Sequence, residues 1–220
     1  MSSSVRSAGL SSLIRRPEFG ALIGALAVYI FFSIAGGGQF SDLSGSATWL
    51  NVAAELGIIA LPVALVMIAG DLDLSVGSVL AGSSMTLAIT SGFFGLPTWI
   101  GVIAALTFGT LVGWLNGYIV TKTNLPSFVV TPATMFAVSG ITLGFTRLLV
   151  GSTSVALTAD PEIQSLFGVM IFDLFETAVV WWILVALVIS WILYKSKYGN
   201  WIYAIGGDVI SARATGIPVN

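Results

Sequence analysis

Long apolar segments alternate with short polar connections along the chain. Six segments approach the roughly 20 apolar residues that a helix needs to cross a bilayer. The pattern predicts an all-α polytopic membrane protein with about six transmembrane helices. Residues 1–18 would be a cytoplasmic tail and residues 19–220 the transmembrane part. The predicted spans are residues 19–35, 49–69, 74–93, 98–120, 127–145 and 177–194.

The composition supports a membrane protein and excludes several classes of function. Hydrophobic residues make up 56% of the chain and charged residues 8%, whereas soluble domains carry about 25% charged residues. The sequence has no His and no Cys, so it lacks the usual groups of triad catalysis, thiolate chemistry and zinc sites. We therefore expect no enzymatic activity, no metal and no cofactor. The sequence also lacks the basic patch that nucleic-acid binding requires.

The positions of Lys and Arg predict the orientation. A cytoplasmic N-terminus leaves only Arg147 of the eight basic residues outside, as the positive-inside rule favours. The first span is interpreted as an uncleaved anchor, because it is long for a signal core and further spans follow. The basic residues then placed inside are Arg6, Arg15, Arg16, Lys122, Lys195, Lys197 and Arg213.

The turn between the second and third spans departs from this rule. It should lie inside, yet it carries Asp71 and Asp73 and no basic residue. It is either a tight turn at the inner face or a helix break recessed into protein, where polar backbone is tolerated at depth. Asp73 stands where a carboxylate can cap the following helix. We favour this structural role for the two aspartates over direct contact with a substrate.

Two predicted helices carry faces of small or polar residues. In the third span such a face could line a substrate pathway or form interhelical hydrogen bonds, and both interpretations stay open. In the fourth span small residues recur every four positions, which we interpret as static helix packing rather than a sliding surface. The first face comprises Ser75, Ser78, Gly82, Thr86 and Thr90, and the second comprises Gly101, Ala105, Gly109, Gly113 and Gly117.

We expect structural roles for three further features. Pro132 is expected to kink the fifth helix or to precede its start. Glu55 is expected to reach from the second span to the outer surface. Residues 151–176 are expected to form a solvated external loop, with Asp160 and Pro161 at a turn or helix start.

The last stretch, residues 198–217, contains a predicted short helix. Gly206 and Gly207 predict a flexible break, Asp208 a helix N-cap, and Gly216 the end of a helix that runs through Ala214. Such a helix could dock into a groove on another protein or lie on the membrane surface. The residues alone leave both open.

Four stretches together resemble one family. They are Gly70-Asp-Leu-Asp-Leu-Ser-Val-Gly-Ser78, Leu115-Asn-Gly-Tyr-Ile-Val-Thr-Lys122, Leu125-Pro-Ser-Phe-Val-Val-Thr131 and Tyr203-Ala-Ile-Gly-Gly-Asp-Val-Ile-Ser-Ala-Arg-Ala-Thr-Gly-Ile217. In this order and spacing they are similar to the permease subunits of bacterial ABC importers of the ribose type. The resemblance covers about residues 49–220.

The chain departs from the family pattern at a few positions. Asp208 stands where Asn is usual, Ser211 where Ala is common, and Pro132 where Leu is frequent. Family members also continue well beyond the last motif. We therefore expect a truncated or fragmentary product.

The resemblance implies a function and partners. It implies a permease of the bacterial inner membrane that carries a monosaccharide or related polyol by alternating access. Its partners would be an ATP-binding cassette subunit, a periplasmic sugar-binding protein, a second permease copy and the lipid bilayer. A coupling helix at about residues 208–216 would contact the ATPase.

The resemblance also implies two groups of site residues. The group coupled to the ATPase comprises Gly206, Gly207, Asp208, Ala212, Arg213, Gly216 and Ile217. The group beside the pathway comprises Asp71, Asp73, Ser75, Gly77, Ser78, Asn116 and Thr131.

Two rival functions remain. In a secondary transporter, Asp71, Asp73 and Glu55 would carry protons or Na⁺. In a non-transporting scaffold or a dead fragment, no ATPase would bind. Uptake with the proton gradient collapsed, and co-purification with an ATPase subunit, separate these alternatives.

Overall fold

A computed structural model describes residues 17–123 and 125–219 of the chain. The predicted N-terminal tail therefore lies almost wholly outside the described residues, as do Arg6, Arg15 and Arg16. The chain divides into two compact units, residues 1–50 and 51–220.

Helices dominate the described chain. In order they are α1 (Pro17–Ala35), α2 (Leu43–Ile68), α3 (Val76–Leu87), α4 (Thr98–Thr123), α5 (Ser127–Val150), α6 (Pro161–Phe167), α7 (Thr177–Lys195), α8 (Lys197–Gly207) and α9 (Val209–Ala214). A π-helical stretch, Ala88–Phe93, continues α3. Strands β1 (Met170–Ile171) and β2 (Phe175–Glu176) form an antiparallel hairpin between α6 and α7.

Five helices are long and apolar enough to cross a membrane. They are α2, α3 with its π-helical extension, α4, α5 and α7, and a shorter apolar helix spans Phe19–Ala35. The prediction of an all-α polytopic membrane fold is confirmed.

The first unit contains α1 and the start of α2. A loop with positive φ at Gly37 and Gly38 follows α1. Beyond it, the ring of Phe40 lies 5.6 Å from that of Tyr29 and 6.2 Å from that of Trp49, centre to centre. Aromatic packing therefore closes this turn.

In the second unit, α3 packs against both α4 and α5, which also contact each other. Buried side chains here are mostly small or polar, whereas large apolar side chains such as Leu106 (67% exposed) and Leu148 (89% exposed) face outward. This distribution suits a lipid environment, in which small residues and interhelical hydrogen bonds hold helices together. The buried set includes Ala54, Ser75, Asn116, Thr131 and Thr146.

The connection between α5 and α7 is more ordered than the solvated loop expected from the sequence. The backbone N–H of Thr98 donates to Oδ2 of Asp160 at 2.7 Å, and the N–H of Asp160 donates to Oγ1 of Thr98 at 2.9 Å. The Asn51 side chain donates to the Leu174 carbonyl and accepts from the Glu176 N–H, both at 3.0 Å. The loop is thus tied to the start of α4 and to Asn51 of α2 by contacts that local patterns do not reveal.

Two expectations about backbone breaks need correction. Gly206 and Gly207 are not a flexible break, because they form the last turn of α8. The chain bends one residue later, at the extended Asp208. Pro132 does not precede the start of α5 either, since the helix begins at Ser127 and continues through the proline.

Candidate functional site

The segment between α2 and α3 is a helix break with a defined geometry. Gly70 has φ +95°, a conformation that costs other residues about 1–2 kcal/mol. Its N–H donates to the Met67 carbonyl at 3.0 Å, and the Asp71 N–H donates to the Val66 carbonyl at 3.1 Å. This is the Schellman arrangement that ends a helix with glycine.

Helix α5 holds the extended residues of the break by its hydroxyls. The N–H of Leu72 donates to Oγ of Ser127 at 3.0 Å, and the N–H of Leu74 donates to Oγ1 of Thr131 at 3.1 Å. The Thr131 hydroxyl in turn lies 2.9 Å from the carbonyl of Ser127 and 3.3 Å from that of Leu72. Because Ser127 and Thr131 are one helical turn apart, their hydroxyls meet alternate residues of the extended chain.

A buried chain of hydrogen bonds starts from the second aspartate of the break. Asp73 Oδ1 accepts from both the N–H (2.8 Å) and the hydroxyl (2.6 Å) of Ser75. Ser75 Oγ accepts from Asn116 Nδ2 at 2.9 Å, and Asn116 Oδ1 accepts from the Thr134 hydroxyl at 2.6 Å. Ser75 is fully buried and Asn116 is 4% exposed. The network, defined as Asp73, Ser75, Asn116 and Thr134, therefore joins the break to α4 and α5.

The position of Asp73 corrects the predicted cap. Helix α3 starts at Val76, and its N-cap residue is Ser75. The carboxylate of Asp73 holds Ser75 itself and does not reach the first helical amides. The N-cap of α3 therefore lies two residues after the position predicted from the sequence, and Asp73 stabilises the break that precedes it.

Asp71 lies in a different environment. Its side chain is exposed and borders a cavity of about 440 Å³ between the break, the end of α4 and helices α8 and α9. Glu55 is exposed on α2. Among the described residues, no three His, Cys, Asp or Glu side chains are grouped closely enough to hold a metal ion. The structure therefore does not bring Asp71, Asp73 and Glu55 together as one ion site.

The remaining residues of the first motif differ in their surroundings. Ser78 is buried, and its hydroxyl donates to the Ser75 carbonyl at 2.7 Å. Gly77 is exposed, and a methyl group at its Cα would meet open space. Ser75 and Ser78 thus act as interhelical or local structural hydrogen bonders.

The C-terminal half of the α3 polar face borders a second cavity. Gly82 lies against the ring of Phe108, and beyond it Thr86 and Thr90 border a cavity of about 430 Å³. The other residues around it include Phe94, Phe108, Phe145, Thr142 and Thr146. The polar face is therefore divided, with structural contacts near the break and a cavity farther along α3.

The glycine face of α4 is also divided. A methyl group on Gly101 would collide with Ser91 and Leu87, and one on Gly109 would approach Ser83 Oγ to 3.3 Å. Gly113 and Gly117 have nothing within 4 Å of such a methyl group. Close packing against α3 thus explains the first part of the glycine face, whereas the second part has no close neighbour in the described chain.

Helices α8 and α9 follow the last long helix. The Ser196 hydroxyl caps α8 by accepting from the N–H groups of Tyr198 (3.1 Å) and Gly199 (3.3 Å). Asp208 Oδ1 caps α9 by accepting from the N–H of Ser211 at 2.6 Å. This hydrogen bond holds the pKa of the Asp208 carboxyl below its ordinary value.

The end of α9 repeats the geometry found at the end of α2. Gly216 has φ +84°, its N–H donates to the Arg213 carbonyl at 3.0 Å, and the Ile217 N–H donates to the Ala212 carbonyl at 3.1 Å. Both the N-cap and the glycine stop expected from the sequence are present. Ala212 is 3% exposed, whereas Ile210 is 81% exposed, so α9 buries Ala212 and exposes Ile210.

The sequence did not predict two residues of the site, Ser127 and Thr134. Ser127 and Thr134 lie within α5 and complete the hydrogen bonds to the break and to Asn116. Ser127 precedes Thr131 by four residues within the third motif, so its place on the same helix face was a usable signal. No comparable signal singles out Thr134, because its partner is on another helix.

A family model described as the permease component of the branched-chain amino acid transport system matches residues 45–220. Three curated relatives are similar over much of the chain. The fructose import permease protein FrcC of Rhizobium meliloti is 28% identical over 86% of this chain and 53% of its own length. The ribose import permease protein RbsC of Escherichia coli K12 is 31% identical over 74% of this chain and 50% of its own length.

The third relative is the xylose transport system permease protein XylH of Escherichia coli K12. It is 33% identical over 68% of this chain and 38% of its own length. The chain thus spans about half the length, or less, of these relatives. No solved structure gives a significant match.

Proposed function

Because this chain belongs to the permease-component family of the branched-chain amino acid transport system, we propose that it serves in an ATP-driven importer of a monosaccharide or related polyol. It is a multi-pass membrane protein, and the bacterial inner membrane is its proposed location. The names of the fructose, ribose and xylose permeases support a sugar as the substrate class.

The observation that carries this proposal is the form of α9. It is capped at one end by Asp208, is stopped at the other by Gly216, and exposes Val209 and Ile210. It follows the membrane-length helix α7 and is separated from α8 by one residue. A short, preformed helix with an exposed apolar face suits docking into a groove on a partner protein.

The proposed partner at α9 is the ATP-binding cassette subunit, which would hydrolyse ATP. A second permease copy would complete the pathway, and a periplasmic sugar-binding protein would deliver the sugar on the opposite side. With the N-terminus inside, α9 faces the cytoplasm and the hairpin of β1 and β2 faces outward. ATP-driven closure of the ATPase dimer would move the helices between two arrangements, as in other switching proteins.

Membrane vesicles that hold this chain, its proposed partners and internal ATP provide the test. We expect sugar uptake to persist when a protonophore collapses the proton gradient. We expect Ile210→Glu to abolish both uptake and co-purification with a tagged ATPase subunit. The control Asn200→Glu, at an exposed position of α8, should change neither.

Two results would overturn the proposal. One is uptake that stops with the proton gradient while ATP stays high. The other is unchanged binding of the ATPase subunit by the Ile210→Glu variant.

A further inference from the structure

We propose that Gly206 is a positioning residue that links movement of α8 and α9 directly to the helix break at residues 70–75. This inference rests on the proposed function, because it concerns how movement at the ATPase reaches the membrane helices. It separates Gly206 from its neighbour Gly207, although both lie in the same motif.

The link is a contact between two backbones. A methyl group added at Gly206 would collide with the carbonyl oxygen of Ile68 and lie 3.4 Å from the carbonyl carbon of Ala69. A methyl group at Gly70 would lie 3.8 Å from Cα of Gly206. Since no side chain separates the chains, neither partner can absorb a displacement by changing rotamer.

A displacement of the break would move both α5 and α3. Its Leu72 and Leu74 amides bind the hydroxyls of α5, and Asp73 binds Ser75, from which α3 begins. Ser75 is bonded to Asn116 of α4. Movement at Gly206 therefore reaches the starts of α3 and α5 and the C-terminal third of α4 through short hydrogen bonds.

The connection between Gly206 and α9 is also short. Asp208 alone separates α8 from α9, and its own carboxylate caps α9. The adjoining cavity of about 440 Å³ leaves space beside the contact. A shift of α9 is thus transferred to Gly206 within two residues.

Gly207 provides a matched control within the same helical turn. A methyl group there has nothing within 4 Å, so Gly207→Ala should be tolerated. Gly206→Ala must push α8 away from the break, and overpacking of this kind should lower ATP-driven uptake about tenfold or more. Uptake by the Gly207→Ala variant should stay close to that of the parent chain.

Spin labels distinguish a broken link from a misfolded protein. The sequence has no Cys, so pairs of cysteines can be placed at two of the three exposed residues Leu72, Asn200 and Leu148. Asn200 lies on α8, outside the proposed docking face of α9. In the parent chain with its ATPase, ATP should leave the Leu72–Asn200 distance unchanged and alter the distance from each to Leu148. In Gly206→Ala, the Asn200–Leu148 distance should still respond to ATP and the Leu72–Leu148 distance should not.

The outcomes separate the two proposals. If the Leu72–Asn200 distance changes in the parent chain as much as the other distances do, the link is wrong. The same holds if the Leu72–Leu148 distance in Gly206→Ala responds as in Gly207→Ala. If the ATPase neither binds nor changes the Asn200–Leu148 distance in the parent chain, the proposed function fails, and this inference fails with it.

Discussion

At the scale of single residues, buried polar groups keep the helix break in one conformation. Each hydroxyl or amide in the network has a partner, and the described chain leaves no buried side-chain nitrogen or oxygen without one. In a low-dielectric environment an unpaired polar group is costly, which makes a satisfied network specific. The precise geometry of the break therefore depends on very few side chains.

Asn116 is the side chain that connects Ser75 to Thr134. Asn116→Ala would remove the hydrogen bonds that Asn116 makes with Ser75 and Thr134, and we expect a loss of about 1–3 kcal/mol of stability. The measurement is thermal unfolding in detergent. Asn200→Ala, at an exposed site on α8, is the control and should shift the midpoint little. Equal midpoints for the two variants would contradict a stabilising role for the network.

Asp208 predicts a pH dependence of α9. Because the hydrogen bond from Ser211 lowers the pKa of Asp208, the capped helix is stabilised above the ordinary Asp pKa of about 3.9. This stabilisation is lost as the pH falls through the lowered value. The protection factor of the Ser211 amide, which is its intrinsic exchange rate divided by its observed rate, should therefore fall on acidification in the parent chain. In Asp208→Asn, whose amide can cap without titrating, the protection factor should show no such acid-dependent fall.

At the scale of elements, helix α4 uses its glycines in two ways. Gly101 allows close approach to α3, whereas a methyl group on Gly113 would meet no atom of the described residues within 4 Å. Small residues recur through both halves, so their spacing alone does not distinguish them. The packed glycines Gly101 and Gly109 lie against the stretch from Val79 to Ser91, whereas Gly113 and Gly117 lie toward the start of α3 at Val76.

Matched substitutions test this division of α4. Gly101→Ala should destabilise the protein by about 1–3 kcal/mol, because the methyl group meets Ser91 and Leu87. Gly113→Ala should be neutral or stabilising by up to about 1 kcal/mol, since alanine favours the helix. Unfolding midpoints in detergent measure both. If the Gly113→Ala variant were as unstable as Gly101→Ala, this division of α4 would be wrong, because Gly113 would then also need close packing.

At the scale of the whole molecule, helix order predicts which segments share a side of the membrane. The helix break at residues 70–75, which has no basic residue, contacts the end of α8. The break therefore lies at the same end of the second unit as α8 and α9. The hairpin of β1 and β2 is separated from α8 by the membrane-length helix α7. The hairpin should therefore lie on one side of the membrane, and helices α8 and α9 on the other.

Single cysteines test this arrangement in intact cells. Phe172, at the tip of the hairpin, is 86% exposed and Ile210 is 81% exposed. A membrane-impermeant thiol reagent should label Phe172→Cys from outside and Ile210→Cys only after the membrane is opened. The cysteine-free parent chain is the control. Labelling of Ile210→Cys in sealed cells would reverse the predicted orientation.

The sequence by itself determined the features that depend on local physical chemistry. Apolar runs of membrane length predicted the long helices, because lipid leaves a chain few other ways to satisfy its backbone. Gly216 and Asp208 predicted the stop and the cap of α9, since both act within one helical turn. The family motifs pointed to the permeases before any contact was known.

Only the tertiary structure decided which polar groups meet. Ser127 and Thr131 hold residues more than fifty positions earlier in the chain, and Asn116 reaches Ser75 across 41 positions. A hydroxyl can bond to many partners, so its residue type does not specify one. The same reason explains why Gly206 and Gly207 look equivalent in sequence, although only Gly206 lies against the backbone of Ile68.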